Sequence, residues 1–168
     1  MASASADAAV ACPLCGATAG MPWRETTGIY RHCAACDLVS RDPSTWLDAA
    51  AERAYYGTHD NRIDDPGYRR FLAQLAGPLM ARLAPGARGL DYGCGAAPAL
   101  AAMLGEAGFP TLGYDPFFAP DERLLAARYG FVACTEVLEH MHAPLRELAR
   151  IDAVLLPGGL LGLMTELR

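Results

Sequence analysis

The chain has 168 residues, of which 52% are hydrophobic and 20% are charged, and its formal net charge is −5. This length predicts one domain, with or without a small appendage, and the negative charge disfavours nucleic acid as a general partner. No run approaches the roughly twenty apolar residues of a membrane span, and the first residues lack the basic and apolar regions of a secretion signal. The sequence therefore predicts a cytoplasmic protein without a membrane partner.

The first forty residues contain a short tail and then two pairs of cysteines. Residues 1–10 are mainly alanine, serine and aspartate without periodicity, which predicts a mobile tail. Four of the six cysteines form two C-x-x-C pairs, Cys12/Cys15 and Cys33/Cys36. Two such turns can present four sulfurs to one metal ion, so residues 11–40 are predicted to form a zinc ribbon. The alternative, a pair of disulfides, is disfavoured in a reducing compartment.

A connection is predicted between the ribbon and the next long helical pattern. Residues 41–66 contain Pro43, Gly57 and several aspartates, which is typical of an irregular segment. The segment is a candidate lid, and an ordinary polar linker is the open alternative. The polar and aromatic residues that favour a lid are Tyr55, Tyr56, His59 and Asn61. Trp23 and Trp46 are expected to pack the ribbon onto the larger domain.

Helical and strand patterns alternate from residue 67 onward. Apolar residues recur at three- and four-residue steps from Tyr68 to Leu83, which predicts an amphipathic helix kinked or interrupted at Gly77 and Pro78. Strands are predicted at 88–92, 110–114, 131–135 and 159–165, and helices at 97–107, 121–128 and 143–155. This alternation indicates crossover units. Residues 67–168 are therefore predicted to form an α/β, Rossmann-like domain, with a mostly parallel sheet and helices on both faces.

The most informative segment is a glycine turn after the first strand of this domain. Asp91 precedes Gly93 and Gly95, and a second acidic residue, Asp115, ends the next strand. Such a layout binds an adenosine cofactor at the carboxyl edge of a parallel sheet. Asp91 would repel a pyrophosphate, and Pro98 stands where a dinucleotide fingerprint has its third glycine. These residues favour S-adenosylmethionine, whose ammonium and sulfonium groups are positive.

Each residue of the turn has a predicted task in holding that cofactor. Gly93 and Gly95 leave space for its methionine portion, since a side chain there would occupy that space. Asp91 positions the ammonium group, directly or through water. Asp115 accepts hydrogen bonds from both ribose hydroxyls.

Four segments follow one another in a fixed order: Asp91-x-Gly93-x-Gly95, Gly113-Tyr114-Asp115, Thr135-Glu136-Val137-Leu138-Glu139-His140 and Leu155-Leu156-Pro157-Gly158-Gly159-Leu160-Leu161. Together they resemble a class I S-adenosylmethionine-dependent methyltransferase. The resemblance implies a Rossmann-like fold, methyl transfer, and cofactor contacts from the glycine turn, the two aspartates and Glu136.

Two departures from the family pattern are expected to alter the sheet. Only about fifteen residues separate Asp115 from the strand that includes Phe131, so the family's third strand and its acidic residue are absent. Adenine recognition is then left to Phe117, Phe118 or backbone groups. The chain also stops after the family's fifth strand, which predicts a shortened protein with an open sheet edge at the C-terminal side and self-association there as a candidate interaction.

Glu136, Glu139 and His140 have i, i+3, i+4 spacing, which predicts one shared helix face. The pattern is similar to that of ubiquinone-pathway O-methyltransferases and small-RNA 3′-end methyltransferases, in which it implies a magnesium-like ion. Three interpretations stay open: a divalent cation at these residues, a pocket role without metal, or a structural role. His140 is the candidate general base, because the ordinary pKa of histidine is close to neutral.

The sequence thus predicts methyl transfer to a small-molecule or carrier-bound acceptor, with O- or C-methylation favoured. No Asn-Pro-Pro-Tyr-like segment follows the fourth family strand, which disfavours amino methylation of nucleobases. The alternative is a zinc-ribbon adaptor or an inactive, shortened scaffold. A domain binding a pyrophosphate cofactor is a third hypothesis, against which Asp91 and Pro98 argue.

Overall fold

The computed structural model describes residues 10–58 and 61–165. The predicted mobile tail lies outside the described residues except for its last residue, and so does His59 of the candidate lid. Within these ranges, no helix combines the length and apolar character required to cross a bilayer.

The N-terminal module is a three-stranded antiparallel sheet with a small polar interior. Its strands, in spatial order, are β1 (Trp23–Glu25), β2 (Gly28–His32) and β3 (Val39–Arg41). Arg31 on β2 is 8% exposed, and its Nε donates to Asp42 Oδ2 at 2.5 Å while Nη1 donates to the Gly20 carbonyl at 3.1 Å. Hydrogen bonds from Ser44 and the charge of Arg31 hold the pKa of Asp42 below its usual value. The buried ion pair of Arg31 and Asp42 therefore forms part of the interior of this module, where larger domains have apolar side chains.

The connection contains more regular structure than its composition indicates. A short 3-10 helix (Pro43–Thr45) follows Asp42, and α1 (Ala49–Tyr56) follows Asp48. The Asp48 carboxylate accepts a hydrogen bond from the Ala51 amide at 2.8 Å, which caps the helix and fixes where it begins.

The larger domain begins with α2 (Pro66–Met80), whose cap is Asp65. The predicted interruption at Gly77 and Pro78 is wrong, because the helix continues through Pro78 to Met80. Pro78 stands in the last turn, where its missing N–H removes one hydrogen bond without ending the ladder early.

Four parallel strands form the sheet of this domain: β4 (Gly89–Tyr92), β5 (Thr111–Tyr114), β6 (Tyr129–Thr135) and β7 (Leu155–Met164). Their spatial order is β5-β4-β6-β7, and α3 (Ala99–Glu106) and α4 (Pro144–Val154) connect neighbouring strands. The predicted α/β, Rossmann-like fold with a small N-terminal module is confirmed. The predicted helix at 121–128 is instead a short 3-10 helix (Glu122–Ala126), and β7 begins four residues earlier than expected.

Each face of the sheet has its own apolar cluster. α2 and α3 cover one face, and the central residue there is Phe131, which is fully buried. Gly89 permits this packing, since a Cβ at that position would lie 2.0 Å from the Phe131 ring. α4 covers the other face through Ile151 and Val154, which pack with Leu90.

Both edge strands have a single partner within the described part of the chain. β5 pairs with β4 alone, as expected without the family's third strand, and β7 pairs with β6 alone. Leu161 and Leu163 of β7 are exposed, whereas Gly162 between them packs against the side chains of Leu75 and Leu79 on α2. One face of β7 is therefore covered and the other is open.

Candidate functional site

The four predicted zinc ligands converge in the ribbon. The ligand atoms of Cys12, Cys15, Cys33 and Cys36 all lie within 4.8 Å of one another. The Cys12 and Cys36 sulfurs are 3.7 Å apart, and those of Cys15 and Cys33 are 3.6 Å apart. Four sulfurs at about 2.3 Å from a zinc ion form a tetrahedron with edges of about 3.8 Å, so the spacing fits zinc. These sulfur–sulfur distances are far longer than a disulfide bond, and all four cysteines are free thiols.

The two cysteine turns share one backbone design. In the first, the amide of Gly16 donates to the Cys12 carbonyl at 3.0 Å, and in the second the amide of Asp37 donates to the Cys33 carbonyl at 2.8 Å. Gly16 has φ +74° and Asp37 has φ +60°. Left-handed conformation at these positions turns the chain so that both sulfurs of a pair face inward.

The glycine turn joins the carboxyl end of β4 to α3, and Asp91 connects the two. Asp91 is 4% exposed, and its Oδ2 accepts a hydrogen bond from the Ala101 amide at 3.2 Å. α3 begins after Pro98, which supplies no side-chain cap, so the Asp91 carboxylate satisfies a helix N–H in its place. Burial raises the pKa of Asp91 to about 7, with a further contribution from the charge of Asp115.

The two glycines of the turn have different tasks. Gly93 has φ +80°, and a Cβ there would lie 2.4 Å from Cγ2 of Val137. Val137 therefore fills the side of Gly93 on which a Cβ would stand, and the cofactor contact of Gly93 stays a prediction. Gly95 has φ +64°, and a Cβ there would meet no atom within 4 Å. The open space predicted at the turn thus lies over Gly95.

Asp115 is held in place by three backbone amides. Its Oδ2 accepts from Gly95 at 3.0 Å, and its Oδ1 accepts from Phe117 at 2.8 Å and Phe118 at 3.0 Å. The carboxylate is 7% exposed. Because each carboxylate oxygen can accept more than one hydrogen bond, these contacts orient Asp115 and leave acceptor capacity for hydroxyl groups.

Glu136, Glu139 and His140 do not share a helix face, which corrects the prediction from their spacing. Glu136 has φ +54° and lies before a single 3-10 turn (Leu138–His140), because its amide donates to the Met164 carbonyl at 2.8 Å. The Glu139 carboxylate accepts from Thr165 Oγ1 at 2.8 Å. Among the described residues, the four cysteines have ligand atoms close enough together to hold a metal ion. Glu136, Glu139 and His140 do not form such a group. Of the three open interpretations of these residues, the divalent cation therefore has no support from the described structure.

The connection contributes residues that the motifs did not identify. The Tyr56 ring lies edge-on to His140 with centroids 5.3 Å apart, and 6.1 Å from the Phe117 ring. Its hydroxyl donates to Glu52 Oε1 at 3.1 Å. The i, i+4 spacing of Glu52 and Tyr56 was a readable signal for a shared helix face. Of the two tryptophans expected to pack the ribbon onto the larger domain, Trp46 stacks on His142 of that domain, whereas Trp23 contacts Tyr30 inside the ribbon.

Two further observations limit the chemistry of this edge. Burial raises the pKa of the Cys94 thiol to about 12, which favours the neutral thiol over the nucleophilic thiolate at neutral pH. The hydroxyl of Thr135, at the end of β6, is buried without a hydrogen-bond partner in the described structure. A polar ligand at the carboxyl edge of the sheet would supply one.

The geometry agrees with comparison to known proteins. Residues 61–168 match a family model described as a methyltransferase domain. Comparison with curated proteins gives no significant match. The match covers most of the chain and includes both aspartates, the glycine turn and the segment from Glu136 to His140. The chain therefore belongs to this family of methyltransferase domains.

Proposed function

We propose that this protein transfers a methyl group from S-adenosylmethionine to a small-molecule or carrier-bound acceptor, with O- or C-methylation favoured. The observation that carries the proposal is the open space over Gly95, next to two buried carboxylates. Asp115 accepts from the Gly95 amide, and Asp91 accepts from the Ala101 amide at the start of α3. The family match supports methyl transfer in general. The acidic surroundings support a cofactor that carries positive charge and no phosphate.

The residues of the turn fit this cofactor in three ways. Gly95 leaves room for the methionine portion, because no atom lies where its Cβ would be. Asp115 is oriented by backbone amides and is placed to accept the ribose hydroxyls. Asp91 is the second buried carboxylate at this turn and is the one proposed for the ammonium group, and its raised pKa would fall when a cation binds beside it.

The protein's own part in the reaction is to position the acceptor and to remove a proton. The cofactor, when bound, supplies a methyl group activated by the sulfonium charge. Held by Asp91, Gly95 and Asp115, it would give that methyl group to the acceptor atom, and the electron pair of the broken carbon–sulfur bond would stay on sulfur. For a hydroxyl acceptor, the proton would pass to the imidazole of His140, which is exposed and follows the carboxyl end of β6.

We further propose that the four cysteines hold one structural zinc ion. The spacing of their sulfurs supports this, as does the small polar interior of the ribbon, which offers few apolar contacts. The ribbon would then fold with its metal and carry the connection that leads to α1.

Calorimetric titration with S-adenosylhomocysteine tests the proposed function. We expect saturable heat with a dissociation constant on the order of micromolar, and no heat with NAD⁺ at the same concentrations. Heat from NAD⁺ alone would point to a pyrophosphate cofactor. No heat from either compound would favour the zinc-ribbon adaptor, in which the sheet domain serves as a scaffold.

A further inference from the structure

Helix α1 lies outside the matched family domain and nevertheless contacts the candidate site. The matched region begins at residue 61, whereas α1 covers Ala49–Tyr56. Its last residue, Tyr56, packs against Phe117, which follows Asp115, and against His140, which follows β6. One ring therefore spans the region between the predicted ribose-binding loop and the candidate general base.

Several contacts hold α1 at this position. The Tyr56 hydroxyl donates to Glu52, one turn earlier on the same helix, at 3.1 Å. Just before the helix, the Trp46 ring is parallel to the ring of His142. The Nε2 of His142 is in turn 3.9 Å from Glu52 Oε1. The rings and the carboxylate together fix α1 against the turn that carries His140.

The charges around Tyr56 are mainly negative. Burial raises the pKa of Tyr56, and the nearby carboxylates of Glu52 and Glu139 add to the effect. Asp91 and Asp115 are buried on the cofactor side. Among the described residues, Arg53 of α1 is a cation close to this region; it is exposed and lies 6.0 Å from the ring centre of Phe118, the neighbour of Phe117. An anionic acceptor entering here would be repelled at short range.

We infer that α1 completes the methyl-acceptor site and that the site takes an uncharged, hydroxyl-bearing ring, which packs on Tyr56 and Phe117. This inference rests on the proposed function and adds the acceptor class to it. The aromatic side chains supply apolar contact to a flat ring, and His140 lies at the edge of Tyr56, where a ring hydroxyl can reach it. Selection among acceptors then depends on Glu52 and Tyr56, which the family domain does not contain.

Two probes that differ only in charge test the inference. 4-Hydroxybenzamide is neutral and 4-hydroxybenzoate is an anion of nearly the same shape. Binding of each is measured by saturation-transfer NMR on the full chain saturated with S-adenosylhomocysteine. We expect the amide to bind at least about tenfold more tightly than the benzoate, and Glu52→Gln to narrow that ratio by several-fold.

Variants of neighbouring tyrosines on α1 separate the site from general packing. Tyr56→Ala should weaken binding of the amide by about tenfold or more while S-adenosylhomocysteine affinity stays within about twofold. Tyr55→Ala, a change at an exposed tyrosine one position earlier, should alter neither value by more than about twofold. Retained S-adenosylhomocysteine binding shows that each variant is folded.

The outcomes separate this inference from the proposed function. Equal binding of the two probes, no binding of the amide, or no effect of Tyr56→Ala overturns the inference while heat from S-adenosylhomocysteine still supports the function. If S-adenosylhomocysteine gives no heat with the unaltered chain, the proposed function fails and this inference fails with it.

Discussion

The indole ring of Trp46 lies parallel to the imidazole ring of His142, with centroids 4.2 Å apart and planes within 1°. Trp46 belongs to the connection after the ribbon, and His142 follows the 3-10 turn at the end of β6. Their contact joins a segment outside the matched family domain to the loop that carries His140. The stack therefore places α1 over the carboxyl edge of the sheet.

A double-mutant cycle on this pair measures how strongly the two segments are joined. Trp46→Ala, His142→Ala and the double variant are unfolded in urea, and we expect a coupling free energy of about 0.5–1.5 kcal/mol. Trp23→Ala with His142→Ala is the matched control, since Trp23 contacts Tyr30 within the ribbon, and those changes should be additive. Additive effects for Trp46 and His142 would show that the stack contributes nothing to stability.

Asp91→Asn should make the protein without cofactor more stable at pH 8. The folded-state pKa of Asp91 is raised from 3.8 to about 7 by burial, so the folded state holds a proton that the unfolded state loses between those values. The stability linked to that proton is present at low pH and is lost as pH rises through about 7. Asparagine can still accept from the Ala101 amide, and its gain at pH 8 should be about 2–4 kcal/mol, since a rise in pKa from 3.8 to about 7 corresponds to an upper limit of about 4 kcal/mol.

Thermal unfolding at pH 4.5, 6 and 8 measures this effect. The advantage of Asp91→Asn should shrink as the pH falls, because the aspartate of the unaltered protein is then neutral. Asp64→Asn is the control, since Asp64 is exposed, and it should show no such trend. S-adenosylhomocysteine should bind Asp91→Asn more weakly, because its ammonium loses a carboxylate. A variant less stable than the parent at pH 8 would contradict this assignment of the buried charge.

Alanine substitutions at the two glycines of the turn should differ in their main effect: Gly93→Ala should mainly lower stability, and Gly95→Ala should mainly weaken cofactor binding. Gly93→Ala adds a clash with Val137 to the cost of positive φ, and we expect a loss of about 2–4 kcal/mol in urea unfolding. Gly95→Ala should lose only about 1–2 kcal/mol, yet weaken S-adenosylhomocysteine binding, since the methyl group enters the open space.

Gly108→Ala is the control for positive φ alone. Gly108 has φ +88°, a Cβ there would meet no atom within 4 Å, and the residue lies beyond the end of α3 that is remote from the turn. Its stability cost should match that of Gly95→Ala while cofactor affinity is unchanged. Val137→Ala should recover part of the loss in Gly93→Ala. Equal cofactor affinity in Gly95→Ala and Gly108→Ala would place the ligand elsewhere.

The purified protein should contain one zinc ion per chain, as measured by elemental analysis. Cys12→Ser should abolish the bound zinc and shift Trp23 fluorescence to longer wavelength, because the ribbon loses its fold without the metal. Cys94→Ser is the control, since Cys94 lies in the glycine turn outside the cysteine cluster. This variant should retain one zinc ion per chain. Full zinc content in Cys12→Ser would contradict the assignment of the ligands.

The sequence predicted those features that depend on local patterns. The cysteine spacing predicted the cluster of sulfurs, and the alternation of apolar runs predicted the parallel strands and their connecting helices. Each of these depends on a few neighbouring residues, whose preferences agree with the final fold.

Features that depend on distant contacts could not be predicted in this way. Val137 fills the space beside Gly93 because β4 and β6 are neighbours in the sheet, although the two residues are far apart along the chain. Glu136 leaves the expected helix because its amide pairs with Met164 on β7. The early start of β7 likewise follows from pairing of Leu155 with Tyr129. Tertiary contacts override local propensity at all three positions.

A crystal structure of the full chain with S-adenosylhomocysteine is the sharpest test of the cofactor assignment, in which the edge between β4 and β5 binds a phosphate-free adenosine compound. We expect the methionine portion over Gly95, the ribose hydroxyls at the Asp115 carboxylate and the ammonium on the side of Asp91. Density for the ligand away from this turn, or a dinucleotide displacing it from the turn in a competitive soak, would show the assignment to be wrong.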